Sequence, residues 1–185
     1  MRLLPLLAAA LLLSACASAP GPAPTAGAAA PVVPAEPVEF AETGTASEAI
    51  ANLASASGSL VSGRVTLQAQ AGAVRITGEV GGLIPHGAHG LQVHEKGDCS
   101  AADASSAGPF FNPLEGFAQR GAVGASPGRI FANERGVAQV DLLVPGAVLG
   151  GGSANDIAGR AVLVLGATPR AFSARVACGE IEAVR

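Results

Sequence analysis

Apolar and polar side chains alternate along the segment GRVTLQAQAGAVRITGEVGGL, residues 63–83. In its first half Val65 and Leu67 are flanked by polar residues, and after an Ala-Gly pair the alternation resumes through Ile76 to Val80. A period of two is the side-chain period of a β-strand, and it places the apolar residues on one face. The pattern therefore predicts two strands joined by a tight turn, a β-hairpin.

The same period recurs in GVAQVDLLV, residues 136–144, and in GRAVLVLG, residues 159–166. The chain holds 25 glycines, and its Pro-, Asn- and Asp-rich connections interrupt any long helix. SEAIANL, residues 47–53, is compatible with a helical turn, but its position before a series of strands favours a first strand. The predicted fold class is all-β, a Greek-key β-sandwich or flattened barrel.

The N-terminal residues 1–15, MRLLPLLAAALLLSA, have the pattern of an export signal. Arg2 precedes an apolar run of eleven residues, which is shorter than the ~20 that a membrane-spanning helix needs. The run ends in LSAC, which matches the bacterial lipobox and predicts that Cys16 is diacylated and becomes the mature N-terminus. The alternative is an ordinary secretory signal that is cleaved near an alanine. Ala17 after the cysteine favours an outer membrane, so we expect a membrane-anchored lipoprotein of the cell envelope that faces the periplasm.

Residues 16–45 are expected to be a tether between the lipid and a folded domain. The stretch 17–40 holds six of the thirteen prolines and very little charge, so it lacks the residues that build a packed element. The remaining residues, 46–185, number 185 − 45 = 140, which is the size of one domain with one core.

The charge balance excludes two classes of partner. Without Arg2, 10 basic residues stand against 14 acidic ones, and the basic residues form no cluster. This balance argues against nucleic-acid binding and against electrostatic attachment to an anionic membrane. The sequence does not identify a protein partner, because it has no tryptophan or tyrosine, residues that are enriched at protein interfaces.

Cysteine counting predicts one disulfide. Of the three cysteines, Cys16 is assigned to the lipid, which leaves Cys99 and Cys178 in an exported and therefore oxidising setting. The alternative is a pair of buried free thiols.

Four segments together resemble the copper/zinc superoxide dismutase family. GGLIPHGAHGLQVHEKGDCS looks like the family's Gly-x-His-Gly-Phe-His-Val-His-Glu strand and turn, and SAGPFFNP looks like Ser-Ala-Gly-x-His-Phe-Asn-Pro. GRAVLVL resembles Gly-Arg-x-x-Val-Val-His, and SARVACGEI resembles the closing Ser-Arg-x-Ala-Cys-Gly-x-Ile. The likeness runs from about Ala49 to Ile181 and includes both cysteines of the family's disulfide. It implies a β-sandwich with copper and zinc that converts superoxide to oxygen and hydrogen peroxide.

The family's metal ligands are mostly missing from this chain. The resemblance assigns the four copper positions to Gln92, His94, Phe110 and Leu165, and of these His94 alone is a histidine. The segment that would supply zinc ligands, residues 114–136, contains no histidine and no aspartate. The family's binuclear site uses six histidines and an aspartate, whereas the whole chain has three histidines. We therefore expect no metal cofactor, with copper entering only if a site has been rebuilt, and we do not expect zinc.

Arg175 occupies the place of the arginine that guides superoxide in the family. It is expected either to keep that vestigial role or to bond loop carbonyls as a structural residue. If it converges with Gln92, His94, Phe110 and Leu165, the former metal site becomes a mixed pocket for a small anion.

The other histidines carry a structural expectation and a metal hypothesis. His89 matches a family histidine that ties a loop to the sandwich by hydrogen bonds. His86 and His89 form a His-x-x-His pair that, with His94 or Glu95, is a hypothetical site for stray zinc or copper. Asp98 is expected to cap the turn before Cys99, and Gly97 is expected to supply backbone freedom there.

Three functions are consistent with these residues. The first is a non-catalytic binding or structural domain of an envelope lipoprotein. The second is a superoxide dismutase with a residual or rebuilt copper site, whose donors come from the segment between His86 and Glu95. The third is a carrier that holds copper or zinc loosely at the same segment. Ligand loss favours the first and predicts little or no enzymatic activity.

Overall fold

The structure is a computed structural model that describes residues 39–119, 128–167 and 174–184. The predicted signal peptide, Cys16 and the predicted tether up to residue 38 lie outside these ranges. So do residues 120–127 of the segment examined for zinc ligands. Within the described ranges, no helix has the length and apolar character needed to cross a membrane.

Nearly all regular structure in the described residues is β-strand, apart from one short 3-10 turn at Ser105–Ala107. The strands are β1 Glu48–Ser55, β2 Ser62–Gln70, β3 Ala73–Gly81, β4 Ala88–His94, β5 Phe110–Asn112, β6 Phe117–Gln119, β7 Gly128–Phe131, β8 Ala138–Pro145, β9 Ala161–Leu165, β10 Arg175–Glu180 and β11 Glu182–Ala183. All the runs that the sequence pattern assigned to strands are strands, so these predictions are confirmed. The helical alternative for residues 47–53 is wrong, because this segment belongs to β1.

The strands form one curled antiparallel sheet in the order β6-β5-β4-β9-β10-β1-β2-β3-β8. β11 pairs with β1, and β7 pairs with β4 beside the point where β5 pairs. Neighbours in space such as β4 and β9, or β10 and β1, are far apart in sequence, as a Greek-key topology requires. The predicted all-β fold class is confirmed.

The β2–β3 hairpin shows how the alternating sequence produces the sheet. Its register pairs Leu67 with Ile76, and both side chains are fully buried. Gln70 pairs with Ala73, which leaves Ala71 and Gly72 as a two-residue turn. Gly72 has a φ of 71°, a conformation that costs a glycine little and other residues more. The predicted turn is therefore confirmed.

The main core lies inside the curl of the sheet. It consists of the inward-facing aliphatic residues of β1, β2, β3, β4, β8 and β9, together with Phe111 of β5 and Ile130 of β7. β9 differs from the other long strands because all five of its residues are buried. A strand buried on both faces must have a second layer packed on its outer side.

The connection between β8 and β9 is organised by two buried polar residues. The carboxylate of Asp156 accepts hydrogen bonds from the backbone N–H groups of Gly150, Gly152 and Ala158, at 2.7 to 2.8 Å. Asn155 donates to the carbonyl of Ala41 at 2.9 Å and accepts from the Ala41 N–H at 3.0 Å. These bonds hold the start of the described chain, part of the predicted tether, against this connection.

Candidate functional site

The face of the sheet opposite the main core carries the predicted copper positions. In β4, Leu91 and Val93 point into the core, so the alternation of a strand places Gln92 and His94 on the outer face. The sheet register pairs Gln92 with Leu163 and His94 with Ala161. Directly paired residues have side chains on the same face, so the outer face of β9 adjoins that of β4.

The remaining predicted positions lie on the same face. Phe110 of β5 pairs directly with His94 across the sheet. Leu165 of β9 pairs with Arg175 of β10, one step before an irregularity in that ladder. The register thus brings Gln92, His94, Phe110, Leu165 and Arg175 to one region of the outer face.

His94 is the polar centre of this region, and its side chain is 4% exposed. Its Nδ1 lies 2.9 Å from the carbonyl oxygen of Gly108. Because a carbonyl oxygen only accepts, Nδ1 carries the proton and Nε2 keeps a lone pair. Nε2 is buried and has no hydrogen-bond partner among the described residues.

Burial and charge keep the His94 ring neutral. Its pKa is lowered from the usual 6.5 to about 4, chiefly because burial penalises the charged form. The Gly108 carbonyl acts in the opposite direction, and the positive charge of Arg175 adds to the lowering. The ring is therefore neutral at neutral pH, with a lone pair on Nε2.

Arg175 is engaged by the backbone of the loop between β4 and β5. Its Nη1 donates to the Ala104 carbonyl at 2.5 Å, and its Nη2 donates to the Gly108 carbonyl at 2.7 Å. Burial lowers the pKa of the guanidinium, and the charge of Asp103 partly opposes this. Of the two expectations for Arg175, the structure shows the second, in which the guanidinium donates hydrogen bonds to loop carbonyls.

The small-anion hypothesis stays a prediction. Two guanidinium N–H groups of Arg175 are already donated to carbonyls, and the His94 Nε2 lone pair faces the same region. An anion is bound by hydrogen-bond donors, and this region has fewer free donors than the sequence alone implied.

The loop between β4 and β5 is fastened by the predicted disulfide. Cys99 in the loop is bonded to Cys178 of β10, with their Cα atoms 5.7 Å apart and a sequence separation of 79. The disulfide is confirmed, and the alternative of two free thiols is wrong. Asp98 accepts a hydrogen bond from the Ser100 N–H at 2.9 Å, which caps the turn across Cys99 as expected. Hydrogen bonds from the side chain and the backbone of Ser100 lower the pKa of the Asp98 carboxyl.

The expected role of Gly97 is wrong. Its backbone does not adopt the left-handed conformation, so conformational freedom does not explain the residue. A Cβ at this position would lie 2.5 Å from the Gly159 carbonyl oxygen and 3.0 Å from Cγ of Glu180. Gly97 is required because the loop passes close to the connection before β9.

Replacement of Gly97 by alanine is expected to lower the free energy of unfolding by about 2 kcal/mol, because a backbone oxygen must move to admit the methyl group. Urea unfolding at neutral pH measures the effect. Gly81→Ala is the matched control, since a Cβ there meets nothing within 4 Å and its backbone is not left-handed. Equal stabilities of the two variants would contradict the close-approach explanation.

The three histidines do not gather at one place. His89 is buried, and its Nδ1 lies 3.0 Å from the Leu165 carbonyl, so it ties β4 to the end of β9. His86 lies in an exposed turn with a φ of 59°, and His89 and His94 belong to opposite faces of β4. Across residues 39–119, 128–167 and 174–184, no group of three or more His, Cys, Asp or Glu side chains could hold a metal ion.

Sequence reasoning missed the two carbonyls that organise this region, those of Ala104 and Gly108. Every residue has a carbonyl, so no sequence signal marks an acceptor of this kind. In the structure, Ala104 is marked by its backbone conformation. Its φ of 55° is uncommon for a residue other than glycine.

The donor set does not fit a copper or zinc centre. At the four copper positions stand one imidazole, one amide, one phenyl ring and one alkyl chain. Copper that cycles between oxidation states needs several nitrogen or sulfur donors, and neither a phenyl ring nor a leucine provides one. The single His94 Nε2 lone pair falls short of the three protein ligands that catalytic zinc sites use.

A family model described as copper/zinc superoxide dismutase matches residues 61–181. No curated protein matches the chain.

Proposed function

The chain belongs to the copper/zinc superoxide dismutase family, and from that premise we propose that it is a non-catalytic binding or structural domain of the bacterial cell envelope. In this proposal the family's sandwich is kept while its metal chemistry is lost. The match covers 121 of the 185 residues, so it includes β2 to β10 and both cysteines of the disulfide.

One observation carries the proposal: His94 is the sole nitrogen ligand of the family's kind at the copper positions. The other positions hold Gln92, Phe110 and Leu165 on the same outer face. Redox cycling requires a fixed cage of donors, and one imidazole gives weak and unselective affinity.

The test is to offer copper and zinc to the full chain with its disulfide formed, to dialyse, and to measure bound metal and superoxide consumption together. We expect far less than one equivalent of either metal and no superoxide consumption above the uncatalysed rate. His94→Ala is the matched variant and should change neither quantity. One bound equivalent of copper with fast turnover would overturn the proposal in favour of a dismutase, and bound metal without turnover would favour a loose carrier.

We also propose that the protein is anchored in the envelope through a lipidated Cys16, with the domain facing the periplasm. The lipobox after a short apolar run supports the anchor, and a disulfide is typical of an exported protein. Two or more acyl chains give stable attachment, because each buried methylene contributes about 0.8 kcal/mol.

Cys16→Ser is expected to abolish incorporation of labelled palmitate and to release the protein from the membrane fraction. The measurement is metabolic labelling followed by fractionation of cells that produce the full chain. Ser18→Ala, two residues away, is the control and should keep the label. Palmitate in the Cys16→Ser protein would refute the proposed anchor.

A further inference from the structure

A second hydrophobic cluster lies on the outer face of the sheet, under the loop that joins β4 to β5. Its buried members come from the sheet and from the loop, and Cys99 packs against them: Ala56, Ala104, Ala107, Ala161, Leu163 and Cys178. β9 separates this cluster from the main core, since Val162 and Val164 belong to one and Ala161 and Leu163 to the other. The cluster is the second layer that a strand buried on both faces requires.

Backbone hydrogen bonds close the loop onto the sheet around this cluster. Ser57 donates its N–H to the Ala102 carbonyl at 2.7 Å, which joins the loop to the end of β1. At the base of the loop, the N–H groups of Glu95 and Lys96 donate to the carbonyls of Pro109 and Ala107, both at 3.0 Å. These contacts fix both ends and the middle of the loop.

The Gly108 carbonyl is a second fixed point, because it receives the His94 Nδ1–H and an Arg175 N–H together. Both donors rise from the sheet, one from β4 and one from β10. Arg175 also holds the Ala104 carbonyl. The loop is therefore bound to two strands by charged and neutral donors in addition to the disulfide.

Ala104 shows that the closed conformation is strongly determined. Its left-handed backbone is unfavourable for a residue with a side chain, by on the order of 1 kcal/mol or more. The residue is nevertheless fully buried, with its methyl group in the second cluster and its carbonyl on Arg175. Such a conformation persists where the surrounding contacts outweigh its cost.

From these contacts we infer that the former metal face has become a second, metal-free core that holds the β4–β5 loop closed, so that the domain reaches its full stability without copper or zinc. The inference rests on the proposed non-catalytic function and adds what replaced the metal. Leu165 is buried at one of the former ligand positions. Small alanine side chains let the loop approach the sheet closely.

The experiment is hydrogen exchange of the full chain, read by mass spectrometry, in EDTA and again after loading with copper and zinc. Peptides that cover residues 95–109 should be equally protected in both conditions, and the melting temperature should not shift. A rise in loop protection or in melting temperature on adding either metal would overturn the inference.

Two leucine variants separate the two cores. Leu163→Ala removes a buried side chain from the second cluster, and Leu67→Ala removes a fully buried side chain from the main core. Leu163→Ala is expected to speed exchange in residues 95–109 on the order of 30-fold or more while leaving the β2–β3 hairpin nearly unchanged. Leu67→Ala is expected to affect the hairpin first. The same exchange pattern in both variants would contradict a separate second core.

The outcomes distinguish this inference from the proposed function. Superoxide turnover with unchanged loop protection would defeat the proposed function and leave the second core standing. Little bound metal and no turnover, together with the same exchange pattern in Leu163→Ala and Leu67→Ala, would defeat the inference and leave the proposed non-catalytic function standing.

Discussion

Replacing Cys99 and Cys178 by serine is expected to lower the free energy of unfolding by about 4 kcal/mol. The disulfide joins residues 79 apart in sequence, so the unfolded chain without it gains the entropy of a long open loop. Cys178 is also buried in the second core, so the serine hydroxyl would stand in an apolar cluster. Urea unfolding at neutral pH, with all samples containing the same chain length, measures the loss.

Two controls separate the bond from the side chains. Reduction of the natural chain by a thiol breaks the bond and leaves both cysteines in place, so it isolates the effect of loop closure. Cys99→Ala with Cys178→Ala removes the bond without adding a hydroxyl to the cluster, and it should match the reduced protein closely. If reduction leaves the unfolding midpoint where it was, the bond contributes nothing to stability.

The fold could be predicted from the sequence because a strand with one buried face alternates apolar and polar residues, so its sequence shows which side chains are buried. In β2 and β3 the residues that alternate as apolar are the residues that pack in the core, so the hairpin needs no tertiary information. The disulfide was accessible by counting, because two cysteines remain once Cys16 is set aside. In both cases one local pattern determines the result.

The second core was not accessible in the same way. β9 reads as a continuous apolar run, which fits a strand buried on both faces but does not say what covers its outer side. The covering loop contributes alanines and a disulfide, and alanine carries no periodic signal at isolated positions. The fixed points of the loop are backbone carbonyls, which every sequence contains. The role of Gly97 could not be predicted for a related reason, because the residue it closely approaches, Gly159, is 62 residues away in the chain.

His94 belongs both to the predicted copper positions and to the contacts that hold the β4–β5 loop. It is the one histidine at those positions, and it ties β4 to the loop. Histidines that bind metals usually donate the other ring N–H to a carbonyl, and His94 makes that bond with Gly108. Among the residues that the structure describes, no group of three or more His, Cys, Asp or Glu side chains could hold a metal ion, and the bond fixes the orientation of the neutral ring. The hydrogen bond to Gly108 therefore gives His94 a structural role at this position of the family's motif.

Acidification is expected to remove roughly 3 kcal/mol of stability between pH 6.5 and pH 4, and His94 is the cause. Its pKa is about 4 in the folded protein and 6.5 as a free side chain. Between these pH values His94 binds a proton in the unfolded chain but not in the folded chain. The full free energy of unfolding is therefore present above pH 6.5, and it falls as the pH approaches 4. The lowered pKa values of the exposed carboxyls Asp98, Asp103 and Asp141 affect stability below this window, since their usual value is 3.8.

Urea unfolding at a series of pH values from 7.5 to about 4 measures this slope, and His94→Gln should flatten it, because glutamine does not titrate. The same variant retains an amide N–H that can reach the Gly108 carbonyl, so its fold should survive the test. His86→Asn is the control: it removes an exposed histidine, suits the left-handed backbone at that position, and should keep the slope of the natural protein. A slope that persists in His94→Gln would assign the acid sensitivity to other groups, and a ring that titrates near 6.5 by NMR would show that His94 is not buried in a neutral form.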